Sequence, residues 1–317
     1  MSNRQFNEQA RGVYVISVTP FTEAGALDLD SVDGMVEFYA GCGVTGMTIL
    51  GVMGEAPKLM QEEAEAFTAR VIRATGGRFP VVVGVTSPAL EYVKSLTGRA
   101  MDLGAAGVML QPLQGLKGDD AIYDYFATVM KALGPQVPVC FQDYPAASGI
   151  FLPVPVWNRL VDDFPQLVML KHEDLPGLAK LSRIRAEEKR DKRRRVSILV
   201  GNNGLYLPQE LRRGADGAMT GFAFPDVLVR VVDLFAAGRS EEAEDLFDIY
   251  LPINRHEQQP GIGLAIRKEV LRRRGAIRSA AARYPSAKLS PYDHDEISAL
   301  LARIDRRIGA ASPRAAQ

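Results

Sequence analysis

Leu167-Val168-Met169-Leu170-Lys171 is the stretch of this sequence that decides the fold, because an apolar run ends abruptly in a lysine. A continuously apolar run of this length is typical of a parallel β-strand that is covered on both faces. The lysine therefore stands where a buried strand ends. Similar short apolar runs recur on either side of this one, and a helical pattern follows each of them.

Strand and helix alternate along most of the chain. The predicted strands are Val13–Val18, Met47–Leu50, Val81–Gly84, Val108–Leu110, Val137–Phe141, Leu167–Leu170, Val196–Val200 and Gly217–Thr220. In the predicted helix Gln61–Ala74, Ala64 and Phe67 fall on one face, and Ser87 before Pro88 is predicted to cap the next helix. Eight such units predict an α/β fold, a (β/α)₈ TIM barrel. A doubly wound open sheet is less favoured, because no G-x-G-x-x-G follows the first strand.

The alternation stops near Gly238. We therefore predict a barrel domain over residues 1–238 and a C-terminal helical extension over residues 239–317. The predicted helices of the extension are Ser240–Gln258, Gly261–Arg274 and His294–Ile308, and Gly309–Gln317 is predicted to be a short flexible tail.

The bulk composition excludes several classes of protein. Lys and Arg together number 38, as do Asp and Glu, so nothing in the net charge favours a nucleic-acid or membrane-surface partner. Cys42 and Cys140 lie in apolar stretches, as expected for free thiols, and no leader or membrane-spanning run is visible, so we expect a cytoplasmic protein. Glu187–Arg195 is densely charged and is predicted to be a solvated connection, with an anion or nucleic-acid site as the alternative.

The barrel prediction selects the candidate site. Functional groups of such barrels lie at the carboxyl ends of strands and in the loops that follow them. This rule selects Thr19, Gly51–Glu55, Gln111, Gln142–Tyr144, Lys171–Glu173, Gly201–Asn203 and Gly221.

Lys171 is the most informative of these residues. At the end of an apolar strand its ammonium group loses hydration, which favours the neutral amine, and a neutral amine is the nucleophile that attacks a ketone. The alternative is a structural lysine paired with a nearby carboxylate. The glycines of Gly51-Val52-Met53-Gly54-Glu55 can form a tight turn with backbone N–H groups aimed at an anion, although Glu55 could simply brace that loop. The three histidines lack metal-ligand spacing, so no metal site is predicted.

These residues together resemble the dihydrodipicolinate synthase/N-acetylneuraminate lyase family. The resemblance is carried by Thr19-Pro20-Phe21, Gly51-x-x-Gly54-Glu55, a fifth strand ending in a proline, Lys171 and Gly201, and it extends from about Gly12 to about Ser290. It implies that Lys171 forms a covalent imine with a 2-oxo acid, usually pyruvate, whose carboxylate the loop after the second strand holds. It also implies no metal or organic cofactor, and a homo-oligomer, either a tetramer or a dimer.

Several positions depart from the family pattern. The usual hydroxyl residues of the glycine loop are replaced by Val52 and Met53, and Gln142 aligns with the family's catalytic tyrosine. Leu113 and Gln114 align with a tyrosine pair, and Ala147 aligns with the arginine of the synthase. Lysine is kept, but the hydroxyl groups that usually relay protons are absent.

Another group must therefore move protons during imine formation, since Gln142 can form hydrogen bonds but cannot act as an acid. The candidates are Tyr144, which could also be a packing residue, and His172 or Glu173. Strand alternation points His172 away from the lysine. Glu173 either shares the side of the lysine or helps to start the next helix with Asp174. Asn202 and Asn203 could contact substrate or satisfy loop backbone.

The sequence thus predicts a class I aldolase or lyase acting on pyruvate or another 2-oxo acid. Because Val52 and Met53 make the loop more apolar, we expect a partner bulkier or more apolar than aspartate semialdehyde. The alternatives are 4-hydroxy-tetrahydrodipicolinate synthase and a catalytically silent member that binds a 2-oxo acid.

Overall fold

Eight parallel strands form a closed barrel in the computed structural model, which describes residues 6–175 and 177–311. The strands are β1 Gly12–Ile16, β2 Gly46–Ile49, β3 Val81–Gly84, β4 Gly107–Leu110, β5 Val139–Asp143, β6 Leu167–His172, β7 Ser197–Val200 and β8 Gly217–Thr220. Each strand pairs with its neighbours in sequence, and β8 closes the barrel by pairing with β1. The predicted (β/α)₈ barrel is confirmed.

Helices surround the barrel and continue past it. They are α1 Ser31–Gly41, α2 Gln61–Thr75, α3 Leu90–Asp102, α4 Asp119–Leu133, α5 Pro145–Ser148, α6 Val154–Asp163, α7 Leu178–Arg190, α8 Leu207–Arg212, α9 Pro225–Ala236, α10 Ser240–Glu257, α11 Gly263–Arg273 and α12 Pro291–Ala311. The chain leaves the barrel between α9 and α10, where Gly238 lies.

The barrel interior is filled with side chains. Alternate strand residues point inward, among them Tyr14, Met109, Met169 and Met219, and all are buried. Phe6 packs against the Tyr14 ring, with 6.2 Å between ring centroids, inside the same cluster. A barrel packed in this way offers no channel, so a site can form only at a rim.

The C-terminal extension packs onto the barrel rather than forming a core of its own. Phe247 and Ile253 of α10, Ile266 of α11 and Ile297 of α12 belong to the same hydrophobic cluster as the barrel helices. Gly309 lies in α12, which runs to Ala311, and the remainder of the predicted tail, residues 312–317, lies outside the described residues.

Several local predictions were wrong: β1 ends at Ile16 and not at Val18, and β5 begins at Val139 and not at Val137. The fifth and sixth strands run two residues further than the apolar pattern indicated, because Gln142 pairs with Lys171 and Asp143 with His172 in the ladder between them. Backbone pairing thus continues where the side chains become polar. Ser87 does not cap α3, because its hydroxyl accepts a hydrogen bond from the Ala89 backbone N–H, 3.2 Å away, inside a turn before the helix.

The charged segment Glu187–Arg195 was predicted as a connection, but it begins in the last turn of α7, and only its residues 191–195 join α7 to β7. Most of its side chains are exposed, whereas Arg193 pairs with Asp162 at 2.7 Å and Arg194 donates to three carbonyls, including that of Leu167 at 3.0 Å. Cys140 is buried and Cys42 is half-buried, and both are free thiols. In the described part of the chain, no helix combines the length and apolar character needed to cross a membrane.

Candidate active site

Lys171 lies at the carboxyl end of β6 beside a carboxylate. Its Nζ is 3.1 Å from Oε2 of Glu173, and both side chains are buried. The Gln142 amide, from the neighbouring strand β5, donates to the same carboxylate oxygen at 2.8 Å. Lys171, Gln142 and Glu173 therefore meet at one point on the inner side of the barrel rim. Of the two placements that the sequence left open for Glu173, the structure shows the one beside Lys171.

The surroundings of Glu173 hold it in this place. Its backbone N–H donates to the Asp143 carbonyl at 2.9 Å, and the side-chain amide of Asn202 donates to its backbone carbonyl at 3.0 Å. A side chain at position 201 would overlap with the Glu173 carboxylate, so only glycine fits there. Gly201 and Asn202, both predicted as substrate-binding residues, thus lie against Glu173, and the Asn202 side chain satisfies loop backbone, which was the alternative to substrate contact.

The glycine loop after β2 is a strained turn. Leu50 adopts a left-handed backbone conformation with φ of 55°, which costs a residue with a branched side chain about 1–3 kcal/mol. The Thr19 hydroxyl donates to the Gly54 carbonyl at 2.6 Å and fixes the far side of the turn. Within the described chain, no group accepts a hydrogen bond from the backbone N–H of Val52 or Met53. These two N–H groups are the candidates for an anion cradle.

The two apolar residues of that loop face different surroundings. Val52 is about half exposed, at 49%. Met53 is partly buried, packs on the interior cluster of the barrel, and overlies Gly221, where any larger residue would collide with its sulfur. Of these two residues, Met53 is therefore the one that places an apolar side chain at the barrel mouth.

Glu55 braces the loop through ion pairs. One carboxylate oxygen accepts from Lys268 Nζ at 2.7 Å, and the other accepts from Lys58 at 2.9 Å and from the Arg283 backbone at 3.0 Å. Lys268 lies on α11 and is fully buried, and it also donates to the Thr19 carbonyl at 3.0 Å. Both carboxylate oxygens are thus occupied, as the bracing alternative predicted.

A second polar network holds the loops after β7 and β8. Asn203 has a left-handed backbone, and its side-chain oxygen accepts from Arg267 of α11 at 2.7 Å. Arg267 also pairs with the buried Glu257 of α10 at 3.1 Å, and Glu257 accepts from the Ala223 backbone at 3.2 Å. Burial raises the pKa of Glu257 to about 7, although Arg267 opposes this shift.

Tyr144 and His172 lie on either side of this site. Tyr144 follows β5, is half-buried, and has no hydrogen-bond partner for its hydroxyl among the described residues. Burial raises its pKa, and the charge of Glu173 adds to the shift. His172 points away from Lys171, as predicted, and its Nε2 lies 3.0 Å from the Gly177 carbonyl oxygen. Of these two alternatives to Glu173, Tyr144 is the one whose hydroxyl is influenced by the charge of Glu173.

The described residues contain no group of three or more His, Cys, Asp or Glu side chains arranged to hold a metal ion.

The residues that hold the site include several that the sequence did not single out. Three of them lie in the predicted helices of the extension: Glu257, Arg267 and Lys268. The feature of the sequence that could have indicated them is that charged residues occur on helix faces that are buried.

Comparison with known proteins identifies the family. Residues 9–304 match the pattern of the dihydrodipicolinate synthetase family. The chain belongs to this family. Its members are Schiff-base lyases, so the prediction that the chain is a lyase of this kind is confirmed at that level.

Relatives within the family differ in their activities. The chain is 29% identical over 299 residues to an L-2-keto-3-deoxyarabonate dehydratase of Azospirillum brasilense, covering 93% of this chain and 94% of the relative. It is 26% identical to a 4-hydroxy-tetrahydrodipicolinate synthase of Porphyromonas gingivalis, with 95% and 98% covered. A solved structure described as dihydrodipicolinate synthase from Rhodopseudomonas palustris is 44% identical, with a TM-score of 0.92 and 94% and 99% covered.

Proposed function

We propose that this protein is a class I lyase of the dehydratase type, which forms an imine between Lys171 and a 2-oxo acid and removes water from a 2-oxo-3-deoxy sugar acid. The observation that carries the proposal is the Glu173 carboxylate, 3.1 Å from Lys171 Nζ and held by Gln142. It brings a proton-transferring group to the place where Gln142 has replaced the family's tyrosine.

The first step is imine formation. The amine of Lys171 attacks the C2 carbonyl of the 2-oxo acid, and the resulting carbinolamine loses its oxygen as water. That oxygen must be protonated as it leaves, and a positioned acid is worth about 10²–10⁴ in rate. Protonated Glu173 supplies this proton, and its ionised form accepts the proton released by the attacking nitrogen.

The second step is the elimination. A protonated imine at C2 acidifies the hydrogens at C3, because the electron pair left behind is delocalised onto nitrogen as an enamine. The Glu173 carboxylate removes one of these protons, and the enamine then expels the hydroxyl at C4. Glu173 returns its proton to this hydroxyl, so one water leaves. Water then hydrolyses the imine and frees Lys171.

Substrate binding is assigned to the glycine loop. The N–H groups of Val52 and Met53 cradle the carboxylate of the 2-oxo acid, in a turn held by Thr19. Met53 supplies an apolar wall at the mouth, where other family members carry a hydroxyl. Dehydration needs no second substrate, so the expected bulkier or more apolar partner applies only to an aldolase reaction. By resemblance to the family we also propose a homo-oligomer.

The second candidate function is 4-hydroxy-tetrahydrodipicolinate synthase. It is favoured by the 44% identity to the structure from Rhodopseudomonas palustris that carries a synthase description. It is disfavoured by Gln142 and Ala147, which stand where the synthase has a tyrosine and an arginine. The third candidate is a catalytically silent member that only binds a 2-oxo acid. Reaction of Lys171 with a 2-oxo acid would contradict it.

A turnover assay separates these functions. The protein would be incubated with L-2-keto-3-deoxyarabonate and, separately, with pyruvate and aspartate semialdehyde, and the products would be followed by mass spectrometry. We expect a product lighter by one water in the first reaction and little or none in the second. Lys171→Met serves as the matched inactive control. Turnover of aspartate semialdehyde alone would favour the synthase and contradict the proposal.

A further inference from the structure

A buried group of titratable side chains lies on the side of β6 that faces away from Lys171. The proposed reaction uses none of them. The centre of the group is His172, whose side chain is fully buried. Around it are the side chains of Asp143 at the end of β5, Asp174 after β6, Lys180 of α7 and Glu210 of α8.

The His172 ring lies between a carbonyl that contacts one of its nitrogens at hydrogen-bond distance and a carboxylate that faces the other at ion-pair distance. Nε2 lies 3.0 Å from the Gly177 carbonyl oxygen, and Nδ1 lies 3.6 Å from Oδ2 of Asp143. A neutral imidazole carries a proton on only one nitrogen, whereas an imidazolium carries one on each. The hydrogen bond to Gly177 needs a proton on Nε2, and the Asp143 carboxylate at ion-pair distance from Nδ1 favours a positive charge on the ring. Burial opposes the charge, but the contact and charge of Asp143 and the Gly177 carbonyl raise the pKa of His172 above its usual value.

The ring joins the two ends of the segment that carries Glu173. His172 follows Lys171 in β6, and its ring reaches the carbonyl of Gly177 at the start of α7. Any side chain at position 177 would overlap with the His172 ring. The Asp143 residue that faces the ring also accepts the Glu173 backbone N–H at 2.9 Å through its carbonyl. One side chain thus contacts both the segment that carries Glu173 and the strand end that fixes its backbone.

We propose that His172 is a positioning residue whose protonated ring ties Gly177 to Asp143 and thereby holds the Glu173 carboxylate beside Lys171. This inference rests on the acid–base role assigned to Glu173 above. When the ring loses its proton, Nε2–H can still donate to Gly177, but the ionic attraction between the ring and the Asp143 carboxylate is lost. Glu173 is then less well placed, and the rate of imine formation falls.

The other charges around the ring modify its titration. Lys180 Nζ lies 2.6 Å from Asp143 Oδ2 and 3.2 Å from Asp174 Oδ2, so Asp143 is shared between two cations. Burial raises the pKa of Glu210 to about 7, and the positive charge of His172 opposes that shift. As pH rises through 7, Glu210 gains a negative charge that favours the imidazolium. The ring is therefore expected to keep its proton into the neutral range.

Two measurements test this role. The chain has three histidines, so the imidazole signals in an NMR titration can be assigned with His256→Gln and His294→Gln. We expect the pKa of His172 to lie above the usual value of an imidazole. The rate of imine formation with pyruvate is then measured against pH by borohydride trapping. In the wild type it should fall as His172 loses its proton.

His172→Gln keeps a donor for Gly177 but cannot titrate. We expect the rate at pH 6 to fall about tenfold to a hundredfold, the cost of misplacing a reacting group by a fraction of an ångström to 1 Å. The limb of the pH profile assigned to His172 should disappear, while the final yield of adduct on Lys171 stays high, which shows that the variant folds. His256→Gln, on α10 away from the site, should keep the wild-type profile.

Two results would overturn the inference: a His172 ring that is neutral at pH 6, or a His172→Gln variant that keeps the limb of the wild-type profile. Failure of the proposed function looks different, since no 2-oxo acid would then form an adduct on Lys171 at any pH. The NMR titration needs no substrate and still decides the charge of the ring in that case.

Discussion

At the scale of single residues, the site differs from its family in which group moves protons. Gln142 stands where the family has a tyrosine, and it donates to Glu173 at 2.8 Å instead of carrying a titratable hydroxyl. Glu173 and Lys171 then share one buried contact. This contact holds the Glu173 carboxylate beside Lys171 Nζ, the atom that is proposed to form the imine.

Glu173→Gln is expected to lower the rate of imine formation by about 10²–10⁴, because the amide keeps the hydrogen bonds but cannot transfer a proton. The rate is measured by quenching pyruvate incubations with borohydride at short times. Tyr144→Phe is the comparison, and we expect it to lose less than about tenfold, since the Tyr144 hydroxyl is not joined to Lys171 or Glu173 by a hydrogen bond. A larger loss in Tyr144→Phe than in Glu173→Gln would assign the relay to the tyrosine.

The sequence could predict Lys171 because an apolar strand ending in lysine is a local pattern. It allowed Glu173 on the same side but favoured Tyr144 for proton transfer, whereas the structure places Glu173 beside Lys171. That placement depends on Gly201, which leaves room for the Glu173 side chain from a strand that is distant in sequence. Contacts of this kind are set by tertiary packing and leave no periodic signal.

At the scale of elements, α11 connects the two halves of the barrel mouth. Consecutive residues of this helix, Arg267 and Lys268, reach opposite loops: Arg267 bonds Asn203 after β7, and Lys268 bonds Glu55 after β2. The sequence predicted the helix but not this function, because a cationic residue in a helix is more often solvated than buried. The loops that hold the site therefore depend on the extension.

Lys268→Met is expected to lower the free energy of unfolding by about 3–5 kcal/mol, because Glu55 is left buried without its main partner. Lys94→Met is the control. It breaks an exposed pair with Glu91, and we expect less than about 1 kcal/mol. Urea unfolding measures both. The double variant Glu55→Met with Lys268→Met should recover part of the loss. A loss in Lys268→Met no larger than the loss in Lys94→Met would contradict a buried ion pair between Lys268 and Glu55.

At the scale of the whole molecule, the barrel and the extension form one packed unit. The order of strands and helices was predictable because continuous apolar runs and helical periodicity repeat along the chain. The strand ends were not, because β5 and β6 continue through polar residues that pair in the ladder. The ion pairs and hydrogen bonds of Glu257, which join α10 to the barrel loops, were also beyond the sequence pattern.

Glu257 gives this packing a pH dependence. Its pKa is raised to about 7 in the folded protein from 4.5, chiefly by burial, so the folded state keeps a proton that the unfolded state releases. Between these values the free energy of unfolding falls as pH rises, by about 3 kcal/mol in all. Glu257→Gln cannot ionise and should remove this part of the slope. Denaturant unfolding between pH 5 and pH 8 measures it, and parallel curves for the two proteins would contradict the assignment.

The account depends most directly on covalent chemistry at Lys171. The decisive measurement is incubation of the folded protein with pyruvate and with L-2-keto-3-deoxyarabonate, followed by borohydride reduction and peptide mass spectrometry. The account predicts a reduced adduct on Lys171 with each 2-oxo acid, and none at this position in Lys171→Met. An adduct only on another lysine, or no adduct with any 2-oxo acid, would contradict it.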